Sequence, residues 1–182
     1  NSMKKEQILV IGANGQIGSV LVAHLRSIYG EDQVLASDIH VPPFPNSRFI
    51  KLDATNAQDM AEVVHKNKIT QIYHLAAILS AKGEIDPMFT WDVNMRSFFN
   101  VLETARIFEV KKVFYPSSIA VFGAHAPQQQ TPQWSALDPT TVYGISKVAG
   151  ENWSQYYFQR YGLDIRSVRY PGIISYQSLP GG

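Results

Sequence analysis

Short runs of β-forming residues alternate with amphipathic stretches along the whole chain. Gln7–Ile11 is an unbroken β-forming run, the pattern of a strand buried on both faces. Ile17, Val20, Leu21, Leu25 and Ile28 follow at a helical period, and Gly30 ends that stripe. Val34–Ile39 reads as a second strand and Arg48–Leu52 as a shorter third. Thr55-Asn56-Ala57-Gln58 fits a capping box opening a helix to about Asn67, and Ile69–Leu75 makes a fourth strand. Asp86-Pro87 supplies an N-cap and a proline at the first helical position for a long helix reaching about Phe108. Lys112–Pro116 is the fifth strand, and a connection rich in proline and glutamine runs from Pro127 to Pro139. A helix from about Thr141 to Tyr161 stops at Gly162, and Ile165–Tyr170 is the sixth strand. Strand–helix alternation of this kind predicts an α/β fold on a doubly wound parallel sheet.

Composition excludes several classes. The 182 residues match a single domain, and 45% apolar content is enough for a real core. Sixteen basic against fifteen acidic residues give a net charge of +1, which leaves no electrostatic footprint for a nucleic acid partner. No apolar run approaches the roughly 18 residues of a membrane span. With no cysteine there is no disulfide framework, thiolate metal site or cysteine nucleophile. His24, His40, His65, His74 and His125 show no metal-ligand spacing, so no metal is expected. His74, on a buried strand, reads as a residue satisfying an internal hydrogen bond. Asn1-Ser2 ahead of Met3 reads as a cloning remnant, and the expected location is cytoplasmic.

The first chemistry lies between the first strand and the first helix. Gly12-Ala13-Asn14-Gly15-Gln16-Ile17-Gly18 is Gly-x-x-Gly-x-x-Gly. Gly12 permits a tight turn, Gly15 lets backbone approach a pyrophosphate, and Gly18 lets helix pack on strand. The helix N-terminus beside Gln16 and Ile17 offers N–H groups and a positive dipole to the anion. Asp38 ends the second strand twenty residues beyond Gly18, where a carboxylate accepts hydrogen bonds from ribose hydroxyls and repels a 2′-phosphate. NAD is therefore expected rather than NADP. Asp53, followed by Ala54, stands after the third strand, where a side chain can reach the adenine.

A second group sits farther along. Tyr143-Gly144-Ile145-Ser146-Lys147 places a phenol and an ammonium four residues apart, on one helix face. That helix follows the fifth strand, which ends at Ser117-Ser118, and sites in open parallel sheets lie beyond the carboxyl ends of the strands. Tyrosine titrates near 10, so work as a base at neutral pH needs a shift of ~3 units, about 4 kcal/mol. A neighbouring lysine supplies part of that by favouring the phenolate.

Together with His74-Leu75-Ala76-Ala77, Asp92-Val93-Asn94 and Ser117-Ser118-x-x-Val121-Phe122-Gly123, these motifs resemble the extended short-chain dehydrogenase/reductases, the superfamily that holds the NAD-dependent sugar-nucleotide epimerases and dehydratases. The resemblance covers essentially the whole chain. It implies a Rossmann-like domain over residues 3–182, with the C-terminal substrate lobe of the family absent. It also implies Tyr143 as base, Lys147 as its partner and ligand of the nicotinamide ribose, and Ser118 polarising the substrate oxygen. Asn94 would support the site, and Leu75, Ala76 and Ala77 would line the cofactor.

Within that superfamily, Leu75–Ala81, Pro116–Gly123 and Arg166–Tyr176 are most similar to the short-chain type of L-threonine 3-dehydrogenases; Pro171-Gly172 stands where epimerases carry an asparagine. That likeness implies substrate contacts from Ser80, Ser117, Ser118 and Tyr143, and a nicotinamide contact from the Tyr170–Ile173 backbone. It implies metal-free oxidation of L-threonine to 2-amino-3-oxobutanoate. It further implies a homodimer formed through helices 87–108 and 141–161: Trp153, Tyr156, Tyr157, Phe158 and Tyr161 crowd the second on more than one face, part of them as core and the remainder, with Trp91, Phe98 and Phe99, as the interface. Two other readings stay open, a nucleotide-sugar epimerase or dehydratase and a non-catalytic dinucleotide sensor.

Overall fold

The computed structural model describes residues 5–45, 48–78, 80–116 and 140–168, with backbone alone at Ser80 and Val168. Six strands form one sheet: β1 (Ile8–Ile11), β2 (Val34–Asp38), β3 (Phe49–Lys51), β4 (Gln71–His74), β5 (Lys112–Pro116) and β6 (Asp164–Val168). Every neighbouring pair is parallel. The order β3-β2-β1-β4-β5-β6 is that of a Rossmann-type sheet, with its switch point between β1 and β4. The helices are α1 (Gln16–Tyr29), α2 (Ala57–Lys66), α3 (Ser80–Gly83), α4 (Pro87–Ile107) and α5 (Val142–Tyr161).

All four residues of β1 are buried, and their alternation divides the core in two. Ile8 and Val10 meet Leu21, Val22 and Leu25 of α1 on one face. Leu9 and Ile11 meet the other cluster, built from Met60, Val63 and Val64 of α2, Val101, Leu102 and Ala105 of α4, and Tyr157 of α5. A central strand covered on both sides has no polar alternation to show, which is why Gln7–Ile11 reads as one apolar run.

The expected elements are present with small differences. β4 is shorter than Ile69–Leu75, and β6 begins one residue before Ile165. The cap of α2 is Asn56, whose side chain accepts from Asp59 N–H, and not Thr55. Thr55 is diverted: its N–H and its hydroxyl both donate to Asp53 Oδ1, at 2.9 and 2.7 Å. The cap of α4 is Asp86 with Pro87 behind it, as its dipeptide implies. Helix α3 is too short to carry a periodic signal and has no counterpart in the sequence reading.

The turns after α2 and α4 share one device. Lys68 (φ 52°) and Glu109 (φ 54°) adopt left-handed backbone without being glycine. The next N–H in each case reaches back, Ile69 to the Val64 carbonyl at 3.1 Å and Val110 to the Ala105 carbonyl at 2.9 Å. These Schellman closures turn the chain directly into the approach to β4 and β5. At α5 the left-handed position is Gly162, as the sequence implies.

Candidate active site

The switch point is closed by backbone packed on backbone. Leu75 N–H donates to the Ile11 carbonyl at 2.9 Å, so the chain leaving β4 runs beside the turn leaving β1. Gly12 has φ +86°, and a Cβ there would stand 2.8 Å from Ala76 N. A Cβ on Gly18 would lie 2.2 Å from the Gly12 carbonyl oxygen, an impossible contact. Gly15, the N-cap of α1, has only that oxygen at 3.5 Å in its path. Two glycines are thus demanded by packing, and the third leaves open space at a helix N-terminus. No side chain caps that terminus, and no acidic residue stands in the first turn. A pyrophosphate fits such a cradle: Gln16, Ile17 and Gly18 begin the helix, with the positive end of its dipole facing outward.

Asp38 ends β2 beside this turn. Its carboxylate accepts from Asn14 N–H at 2.9 Å and from Ile39 N–H at 2.7 Å. Asn14 also donates through Nδ2 to the His40 carbonyl at 2.7 Å, so one side chain joins the glycine turn to the loop after β2. The sequence reading had no role for Asn14; its place inside the turn is the only signal. Asp53 is exposed, with one oxygen committed to Thr55, while the adjoining Ala54 is buried and its carbonyl is held by Asn100 of α4.

Beyond β4 and β5 a pocket is lined by His74, Ala76, Ala77, Asn94, Met95, Phe98, Tyr115, Tyr143, Ser146, Lys147 and Gly150. Tyr143 and Lys147 therefore share one cavity with Ala76, Ala77 and Asn94, the juxtaposition their motifs imply. The Lys147 ammonium lies 5.4 Å from the Tyr143 ring centroid and 5.7 Å from that of Tyr115. Burial pulls its pKa down to about 8, against the opposing charge of Glu151. Tyr115 is pushed up to about 12, first by burial and then by Glu151.

Asn94 fixes the loop between β4 and α3 by both ends of its amide: Oδ1 accepts from Ile78 N–H at 2.8 Å, and Nδ2 donates to the Ile78 carbonyl at 3.2 Å. Ser80 opens α3 at the end of that loop.

Two expectations need correction. His74 is 6% exposed, but its Nδ1 has no hydrogen-bond partner, so it does not satisfy an internal bond through that atom. Burial, and then the nearby Lys147 charge, pull its pKa down to about 3, which keeps the ring neutral. Phe98, expected at a subunit interface, belongs to the core, where Tyr157 is the member of the α5 aromatic set that joins it. The other expected site residues, Ser117, Ser118, Tyr170 and Ile173, lie outside the described residues, as does the connection from Pro127 to Pro139. Among the described residues no helix is long and apolar enough to cross a membrane.

The buried ammonium has a consequence for stability. With the folded pKa of Lys147 near 8 and an ordinary value near 10.5, the folded chain holds fewer protons than the unfolded chain between those limits. Stability therefore rises with pH across that window, and burial of the charged form costs stability below it. Lys147→Met should be more stable than wild type at pH 7, by on the order of 2 kcal/mol. The gap should narrow toward pH 10 in urea melts. A gap that does not change with pH would contradict the assigned environment.

Comparison with known proteins agrees with this geometry. Residues 8–180 match the model of the NAD dependent epimerase/dehydratase family. An uncharacterized epimerase/dehydratase of Staphylococcus haemolyticus is 49% identical over 97% of this chain and 57% of its own length. Among solved structures, the holo form of a GalE-like L-threonine dehydrogenase from Cupriavidus necator is 50% identical with a TM-score of 0.84, covering 90% of this chain and 54% of that one. A monomeric L-threonine 3-dehydrogenase from a metagenome is 47% identical with a TM-score of 0.85, over 90% and 53%. The UDP-glucose 4-epimerase of Thermus thermophilus, in complex with NAD, is 27% identical with a TM-score of 0.77, over 90% and 54%. The chain thus spans about half the length of the proteins it matches. It belongs to the NAD dependent epimerase/dehydratase family, and its cofactor is NAD.

Proposed function

We propose that this chain is the dinucleotide-binding part of an enzyme that oxidises L-threonine at its β-hydroxyl to 2-amino-3-oxobutanoate. The observation that carries a redox role is the meeting of Tyr143 and Lys147 in one pocket with Ala76, Ala77 and Asn94 at the carboxyl end of the sheet. The choice of threonine rests on likeness: solved L-threonine dehydrogenases stand at 38–51% identity and the UDP-glucose epimerase at 27%.

In this reading NAD, when bound, accepts the hydride from the threonine β-carbon. The chain's own residues manage the proton. Tyr143, as phenolate, takes the hydroxyl proton as the C–H electron pair leaves and the C=O bond forms. Lys147, 5.4 Å from that ring, favours the phenolate by its charge. Ser118 is assigned to the substrate oxygen, and Ser80 and Ser117 to the substrate. Gly12, Gly15, Gln16, Ile17 and Gly18 would hold the pyrophosphate, Asp38 the adenosine ribose, and Asp53 with Ala54 the adenine edge. Leu75, Ala76, Ala77 and Asn94 would flank the nicotinamide half, with the backbone from Tyr170 to Ile173. The reading calls for no metal.

A homodimer through helices 87–108 and 141–161 is a further part of the proposal. It is supported by apolar surface left in solvent at Met88, Phe89, Trp153, Tyr156, Phe158 and Tyr161. A solved relative that is monomeric shows that the fold also exists without that contact. Monomeric mass by light scattering of the whole protein would end this part.

The test is NADH formation from NAD⁺ and L-threonine by the whole protein. Turnover that survives a chelator is expected, and no NADH with L-threonine would overturn the reading. Conversion of a UDP-sugar without net NADH would then favour an epimerase. Tyr143→Phe should lower kcat at least ~100-fold with little change in NAD affinity; equal loss of both would remove Tyr143 from the role of base. Asp38→Ala should relax the preference for NAD over NADP, and an unchanged preference would take Asp38 out of the ribose site.

A further inference from the structure

Four hydrogen bonds hold the segment after β4 against α4 and against the helix that carries Tyr143 and Lys147. Three of them involve α4. Asn94 holds both backbone groups of Ile78, and Thr90, 1% exposed, donates from Oγ1 to the Gly83 carbonyl at 3.1 Å. Thr90 and Asn94 are four residues apart, so one face of α4 grips the segment near both its ends. The grip at Gly83 is tight, since a Cβ there would meet Thr90 Cγ2 at 2.9 Å. The next residue is Glu84, whose backbone place is thereby set.

The fourth bond leaves that segment for α5. Val142 N–H donates to Glu84 Oε1 at 2.7 Å, between residues 58 apart in sequence. Val142 is the first residue of α5 and the immediate neighbour of Tyr143. The helix does not need Glu84 as its ordinary cap, because Thr141 Oγ1 already accepts from Gly144 N–H at 3.0 Å. Glu84 satisfies a different, earlier donor and brings a negative charge to the positive end of the helix dipole. A local cap fixes only the first turn's own geometry. A bond from Glu84, just past α3, fixes where that turn stands relative to Ile78 and Gly83, which α4 holds.

We propose that Glu84 is a positioning residue: through Val142 N–H it sets the start of α5, and with it the Tyr143 phenol, against the segment that α4 clamps after β4. Glu84 touches neither cofactor nor substrate in this role. The catalytic part of the proposal rests on the threonine-oxidising reading, whereas the anchoring part does not.

The experiment compares wild type, Glu84→Ala and Glu84→Gln in the whole protein. Amide hydrogen exchange reads the anchor over residues 141–145, and steady-state kinetics with L-threonine read its effect on Tyr143. Glu84→Ala should speed exchange in that segment. It should also lower kcat about tenfold while the KM for NAD changes less than about twofold. Glu84→Gln keeps an oxygen acceptor and should recover most of both. The acidic limb of the pH profile should stay in place in all three, because in this proposal Glu84 acts on Tyr143 through its position and not through the charge that the variants remove. Exchange unchanged in Glu84→Ala would overturn the proposal. So would a Gln variant as impaired as Ala, or an acidic limb that moves with the loss of the carboxylate. If wild type does not oxidise L-threonine, the functional reading falls, and the exchange comparison alone decides whether Glu84 anchors α5.

Discussion

Everything at the switch point depends on how closely the β1–α1 turn can lie against the chain leaving β4. Gly12 has backbone of Leu75 and Ala76 at its surface, and Gly18 has the Gly12 carbonyl where a side chain would begin. No other residue type permits that spacing. The consequences run in two directions. Toward β2, the compact turn brings Asn14 into reach of Asp38 and His40, so the acidic strand end and the phosphate cradle form one unit. Toward β4, the same compactness brings Ala76 and Ala77 into the wall of the pocket that Tyr143 and Lys147 complete.

Helix α4 does the matching work on the other side. Its core face supplies Phe98, Val101, Leu102 and Ala105 to the larger hydrophobic cluster. Polar residues on the same helix fasten two stretches of chain: Thr90 and Asn94 the one after β4, and Asn100 the one after β3. Burying these groups is tolerated because each has a hydrogen-bond partner. Among the described residues, His74 Nδ1 lacks a partner, as do Arg26 Nε and Arg48 Nε. Of these only His74 lines the candidate pocket.

The architecture was legible because buried parallel strands read as plain apolar runs and the helices carry conventional endings, Asp86-Pro87 and Gly162 among them. Legibility failed where two local solutions compete. Thr55 and Asn56 are both good caps, and the Asx turn of Asp53 takes the first and leaves the second. Lys68 and Glu109 gave no sign of left-handed backbone, since the glycine that usually marks it is missing. For the candidate site, the glycine turn and Asp38 stood out through spacing set in a strand–helix context, and Tyr143 and Lys147 through their place after the fifth strand together with the family resemblance. Tyr115, Ser146 and Glu84 did not, because what makes them matter is a contact across the fold: a ring under the ammonium, a place in the pocket wall, a carboxylate on a distant N–H.

The central claim is that a turn with no room for a Cβ at Gly18 both builds the domain and presents the helix N-terminus to the dinucleotide. Calorimetric titration of NAD into Gly18→Ala, beside a urea melt of the same protein, tests it directly. The account predicts a folded but destabilised protein, by several kcal/mol (on the order of 3), whose affinity for NAD falls at least ~100-fold. Wild-type affinity in a Gly18→Ala protein of wild-type stability would contradict it.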